Sequence, residues 1–82
     1  MVNIAQMPSP EYPPLSAENG EEGYVIMEIY VAGGKVDTAK IIKSSGYYRL
    51  DKAARKAIWR LTFSKKARED IGYYQLVHFV LD

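Results

Sequence analysis

Residues Tyr24 to Ala32, YVIMEIYVA, alternate so strictly that they leave little choice of local structure. Val25, Met27, Ile29 and Val31 fall on one side, and Tyr24, Ile26, Glu28 and Tyr30 on the other. This is the period of two expected for a strand with one wholly aliphatic face. Gly33-Gly34 follows at once and supplies the positive φ of a tight hairpin, so Lys35 to Lys43 reads as the return strand. The phase of that second strand is broken. Val36 lies on one parity and Ala39 and Ile41 on the other, which predicts a bulge near Asp37-Thr38. Ser44-Ser45-Gly46 then ends the strand.

Leu50, Ala53, Ala54, Ala57, Ile58 and Leu61 recur at helical spacing, with Lys52, Arg55, Lys56 and Arg60 on the opposite face and Asp51 in the first turn. The small alanines let this amphipathic helix lie close to a sheet. A charged connector, Ser64 to Asp70, leads through Ile71-Gly72 into a last strand, Tyr73 to Leu81. A helix leaving the second strand returns the chain to the top of the sheet. The last strand then runs antiparallel to the first, and a spatial order of second, first, last needs no further crossover. The fold class is therefore α+β: two layers, a three-stranded antiparallel sheet of order 2-1-3 with one main amphipathic helix on one face. Both outer strands are edges. The last carries no lysine, proline or bulge to guard it, so it is an aggregation liability or a docking site. His78 shares the parity of Leu76 and Val80, which turns it away from the helix.

All four prolines fall in the first 23 residues, an extended lead-in with a short helix beginning after Pro14; residues 24–82 form the domain proper. With 82 residues and 48% apolar content the chain has material for one small core, which must offset on the order of 100 kcal/mol of conformational entropy. Net charge is +1, but residues 1–34 hold five acids and no base, whereas residues 49–68 hold eight bases beside Asp51 alone. Lacking cysteine and having a single histidine, the chain has no thiolate chemistry and no cysteine- or histidine-rich metal cluster. Gly33-Gly34-Lys35 lacks the spacing of a phosphate loop, and Ser44-Ser45 does not form a nucleophile elbow. The Tyr47-Tyr48 and Tyr73-Tyr74 pairs beside a basic helix suggest base stacking, but the small net charge and acidic first half argue against nucleic acid. No apolar run reaches the roughly 20 residues of a membrane span.

Pro10-Glu11-Tyr12-Pro13, Gly23-Tyr24-Val25, Gly34-Lys35-Val36, Ser44-Ser45-Gly46, Leu50-Asp51 with Ala53-Ala54-Arg55-Lys56-Ala57, Phe63, and Val77-His78-Phe79-Val80-Leu81 occur in an order and spacing that resembles the TonB C-terminal domain family, over about residues 8–82. The resemblance implies a non-enzymatic periplasmic domain without cofactor or metal. Its full-length parent would be anchored in the inner membrane of a Gram-negative bacterium, associated with ExbB and ExbD. Such proteins couple the proton motive force to TonB-dependent outer-membrane transporters, siderophore and iron uptake among their roles. The shortness of the chain then reads as the docking head cut from a longer protein.

Family members bind the transporter's TonB box as an added strand. Carried over by position, the pairing edge is Tyr73, Tyr74, Gln75, Leu76, Val77, His78 and Phe79, and the receptor-proximal segment is Ser9, Pro10, Glu11, Tyr12, Pro13 and Pro14. Tyr12-Pro13 reads equally as a turn that anchors the lead-in on the domain. The chain departs from the family where Leu61 and Lys65 replace the usual tryptophan and proline, with Trp59 two residues earlier, and where Ser9 replaces a glutamine. The basic helix face reads as a solvated surface or a contact for acidic periplasmic turns of a transporter. The sequence also admits two other readings: a TonB-like or TolA-like domain for a dedicated other partner, and a self-associating module that swaps its last strand. The domain is expected as a monomer or a strand-exchanged homodimer.

Overall fold

The structure is a computed structural model that describes residues 10–82. Its elements, in order, are α1 (Pro14–Glu18), β1 (Gly23–Ala32), β2 (Lys35–Lys43), α2 (Tyr48–Ile58) and β3 (Tyr73–Phe79). The sheet order is β2-β1-β3, with both pairings antiparallel, as the alternation and topology predict. Val25, Met27, Ile29 and Val31 of β1 are buried against Leu50, Ala54 and Ile58 of α2, with Leu61, Val77 and Phe79 completing the core. Among the described residues nothing covers the other face of the sheet, which carries Tyr24, Tyr30, Tyr74 and Leu76, all exposed.

The hairpin bulge lies where the parity switch predicts it. Tyr30 pairs with Thr38 and Val31 with Val36, so Asp37 is the extra residue. A second register shift is not foreseen: Ile26 pairs with Lys43 and Met27 with Ile41, which leaves Ile42 unpaired and half exposed. At the hairpin tip Gly34 is left-handed, at φ 83°, and its carbonyl accepts the Phe63 N–H at 2.8 Å. A side chain there would stand 2.8 Å from the Phe63 carbonyl oxygen, so the chain leaving α2 docks where only glycine fits.

Two element ends differ from the sequence reading. The helix begins at Tyr48 rather than Leu50 and ends at Ile58, after which Arg60 and Leu61 donate to Ala57 and Ile58 in a tightened last turn that keeps Leu61 buried. The last strand stops at Phe79 rather than Leu81, because Phe79 already faces Gly23, the first residue of β1, and no partner remains beyond it. The Leu81 N–H instead donates to the Glu22 carboxylate at 2.7 Å.

Asp51 joins the end of β2 to the start of α2. Its carboxylate accepts from Ser44 Oγ (2.5 Å), Ser45 N (3.0 Å) and Ser45 Oγ (2.7 Å), while the Tyr47 cap makes no side-chain bond. Partial burial pushes the Asp51 carboxyl up, but the serine hydrogen bonds and Arg55 outweigh it and hold the group below its ordinary value of 3.8. A carboxyl lowered in the folded state stabilises above its unfolded pKa, and that stability is lost as pH falls through the folded value. Asp51→Asn is therefore expected to lower the urea midpoint at pH 7 and to flatten its decline below about pH 4 relative to the parent chain. An unchanged acid limb would exclude this role.

Candidate functional site

The topology leaves β2 and β3 each with one side lacking a strand partner among the described residues, and the candidate site lies on β3. Its inner side pairs with β1 throughout, from Gly23 opposite Phe79 to Ile29 opposite Tyr73. Its outer side borders no strand among the described residues. In an antiparallel ladder every second residue turns its N–H and C=O away from the partner, so this outer side is a row of backbone donors and acceptors without a strand partner, although the Leu76 carbonyl accepts from the Gln75 side-chain amide at 2.9 Å. The segment YYQLVHF contains no Lys, Arg, Asp or Glu. The β2 edge, by contrast, carries Lys35, Asp37, Lys40 and Lys43 and two register shifts, the features that block edge pairing.

Both ends of β3 are held. At its start the Arg68 N–H donates to the Tyr73 hydroxyl at 2.9 Å, and the Tyr73 ring lies 5.1 Å from that of Phe63. At its end Phe79 is buried and meets the Tyr12 ring edge-on, centroids 5.5 Å apart. Along the strand, Val77 and Phe79 point into the core, while Tyr74, Leu76 and His78 face outward as their parity requires. The seven residues expected to pair with a peptide thus form one straight edge.

The outward residues sit beside polar and aromatic neighbours. Tyr74 donates to Glu28 at 3.1 Å, and that bond, with the Glu28 charge and partial desolvation, raises its phenol above the ordinary value. The His78 and Tyr24 rings meet edge-on at 6.5 Å, and Lys43 Nζ lies 5.6 Å from the Tyr24 centroid. Tyr24, Leu76 and His78 line a shallow depression of about 140 Å³ on the open face.

The N-terminal segment is less detached than a lead-in. Tyr12 donates to the Glu21 carbonyl, Ser16 is fully buried, and Glu21 pairs with Arg49 of α2 at 3.1 Å. Partial burial, with Glu22 and Glu21 nearby, raises the Tyr12 phenol. Tyr12 is therefore an anchor that fastens this segment to the end of β3, while Pro10, Glu11, Pro13 and Pro14 continue the chain beside it. Ser9 lies outside the described residues. Sequence reading misses the Tyr12–Phe79 contact, whose partners are too far apart in the chain for any local spacing to signal it.

The pattern matches known proteins. The family model described as Gram-negative bacterial TonB protein C-terminal matches residues 8–81. "Protein TonB" of Neisseria meningitidis serogroup C is 56% identical over 52 residues, which is 62% of this chain and 19% of that protein. "Protein tonB2" of Pseudomonas aeruginosa is 42% identical over 64 residues, 77% of this chain and 24% of that protein. The chain thus spans about a fifth to a quarter of the length of these curated relatives. The solution NMR structure of the Pseudomonas aeruginosa TonB CTD superposes with a TM-score of 0.74 at 20% identity, covering 94% of this chain and 83% of that one; at this identity the likeness is one of fold.

Proposed function

The chain belongs to the Gram-negative bacterial TonB C-terminal family, and from that premise we propose that it is the receptor-engaging head of a TonB energy transducer. In this reading the domain works in the periplasm, at the end of a longer protein anchored in the inner membrane and driven there by ExbB and ExbD. It binds rather than catalyses: the TonB box of a TonB-dependent outer-membrane transporter joins the sheet as a strand beside Tyr73 to Phe79. The observation that carries this reading is the contrast between the two edges, β2 charged and bulged and β3 uncharged and straight. Among the described residues β3 is the outer strand without charges or register shifts, which supports it as the place where a partner strand adds.

Strand addition also suits the task. Backbone hydrogen bonds tolerate many sequences, which lets one head serve several transporters, and alternate side chains set preference. A pull along the paired strands loads those bonds together.

The reading is tested by titrating the amide-labelled domain with short peptides from the plug segments of transporters of the same host. Chemical-shift changes are expected to concentrate on Tyr73 to Phe79 and on their β1 neighbours. No change at millimolar peptide, or changes confined to β2 and α2, would exclude strand addition at this edge. A size that grows with protein concentration in the absence of peptide would favour strand exchange between copies instead.

A further inference from the structure

We propose a second binding surface, separate from the β3 edge: the groove between α2 and the proline segment takes an extended acidic peptide whose carboxylates alternate along its chain. The groove has a volume of about 740 Å³. One wall is Glu11, Pro13 and Pro14; the other is a stripe of α2 from Tyr48 to Ala57 that Arg60 continues in the turn just beyond, and Ala53 and Ala57 give an apolar floor. On its rim Lys52, Lys56 and Arg60 follow one another at steps of four residues, all exposed. Among the described residues none of the three has a carboxylate within 4.0 Å, whereas Arg49, at the head of the same stripe, is already paired with Glu21.

The spacing selects the occupant. Residues four apart on a helix stand about 6 Å apart along its axis. An extended chain rises about 3.3 Å per residue, so every second side chain recurs at about 6.6 Å on one face. Acids at alternate positions therefore meet Lys52 and Lys56 in register, with a third directed toward Arg60 in the tightened turn just past α2, while the residues between them face away. Residues 1–9 contain no acid, so the chain's own N-terminal stretch does not satisfy this charge. The floor is recessed between two walls, which suits a single strand better than a flat membrane surface. Glu11 is the one carboxylate lining the groove and opposes the binding of an acidic chain.

Two threonine-glutamate heptapeptides of equal composition test this in the intact chain. One has glutamate at its second, fourth and sixth positions; its isomer has glutamate at the first, fourth and seventh. The alternating peptide is expected to shift amides of residues 52–60 and to bind about tenfold more tightly than the isomer, which in extended form can set only one glutamate at a time against this stripe and so loses two exposed ion pairs. Lys56→Glu is expected to weaken it about tenfold, and Glu11→Gln to strengthen it. Lys52→Glu serves as a second variant, and unchanged thermal unfolding of each confirms the fold. Equal binding of the isomers, indifference to both lysine variants, or helix formation by the bound peptide would overturn the proposal. Retention of the chain by phosphatidylglycerol vesicles, lost in Lys56→Glu, without peptide binding would assign the surface to a membrane and overturn it as well. Shifts on Tyr73 to Phe79 with receptor peptides bear on the β3 edge alone, so the two surfaces succeed or fail separately.

Discussion

Phe79→Ala is expected to cost about 3–5 kcal/mol of stability, the usual range for emptying a buried aromatic site. Phe79 is 2% exposed and is among the largest buried side chains of the domain. Its ring closes the core at the end of β3 and is the surface on which Tyr12 rests, so its removal both opens a cavity and frees the segment before α1. A domain of this size has a total stability of roughly 4–12 kcal/mol, which makes the loss a large fraction of the whole. Urea denaturation is expected to show a midpoint far below that of the parent chain, with part of the population unfolded at room temperature. His78→Ala, one residue away but on the open face, is expected to change stability by no more than about 0.5 kcal/mol. The pair tests the register: a slip of one residue would exchange their burial, and the two costs with it. Comparable losses for both would exclude the facing described here.

The parts of the fold that were legible in the sequence are those set by local period. Val25 to Val31 declare a core face, and the change of parity between Val36 and Ala39 locates a bulge that the pairing assigns to Asp37. The second bulge, at Ile42, had no such signal: Ile41 and Ile42 are both aliphatic, and either suits either face. The end of β3 is not legible for a related reason. Val80 and Leu81 continue the alternation, but a strand persists only while its neighbour does, and β1 begins at Gly23. The candidate edge was legible because an uncharged strand at the end of a two-layer topology has one unpaired side. The groove was half legible: the helix sequence shows its basic stripe, but not the wall of Glu11, Pro13 and Pro14, which Tyr12 and the Glu21–Arg49 pair bring across from residues far away in the chain.

Methylation of backbone amides in the bound peptide is expected to give a result that depends on parity and not on side chains. If a transporter peptide joins β3 as a strand, alternate residues turn their N–H groups toward β3 and the others turn theirs to solvent. Seven residues of β3 admit about three such inward amides. Each bond contributes about 0.5–1.5 kcal/mol net, so methylating one alternate set should weaken binding by tenfold to about a thousandfold. Methylating the other set leaves every side chain and every inward bond in place and is expected to change affinity by no more than about threefold. Calorimetric titration of the two isomeric peptides reads this difference directly. Docking through side chains into the Tyr24, Leu76 and His78 depression would treat the two isomers alike, because both retain the same groups on the same residues. Equal losses, or none, would therefore remove the backbone edge from the binding mechanism, whereas a strict alternation would establish that β3 is extended by its partner.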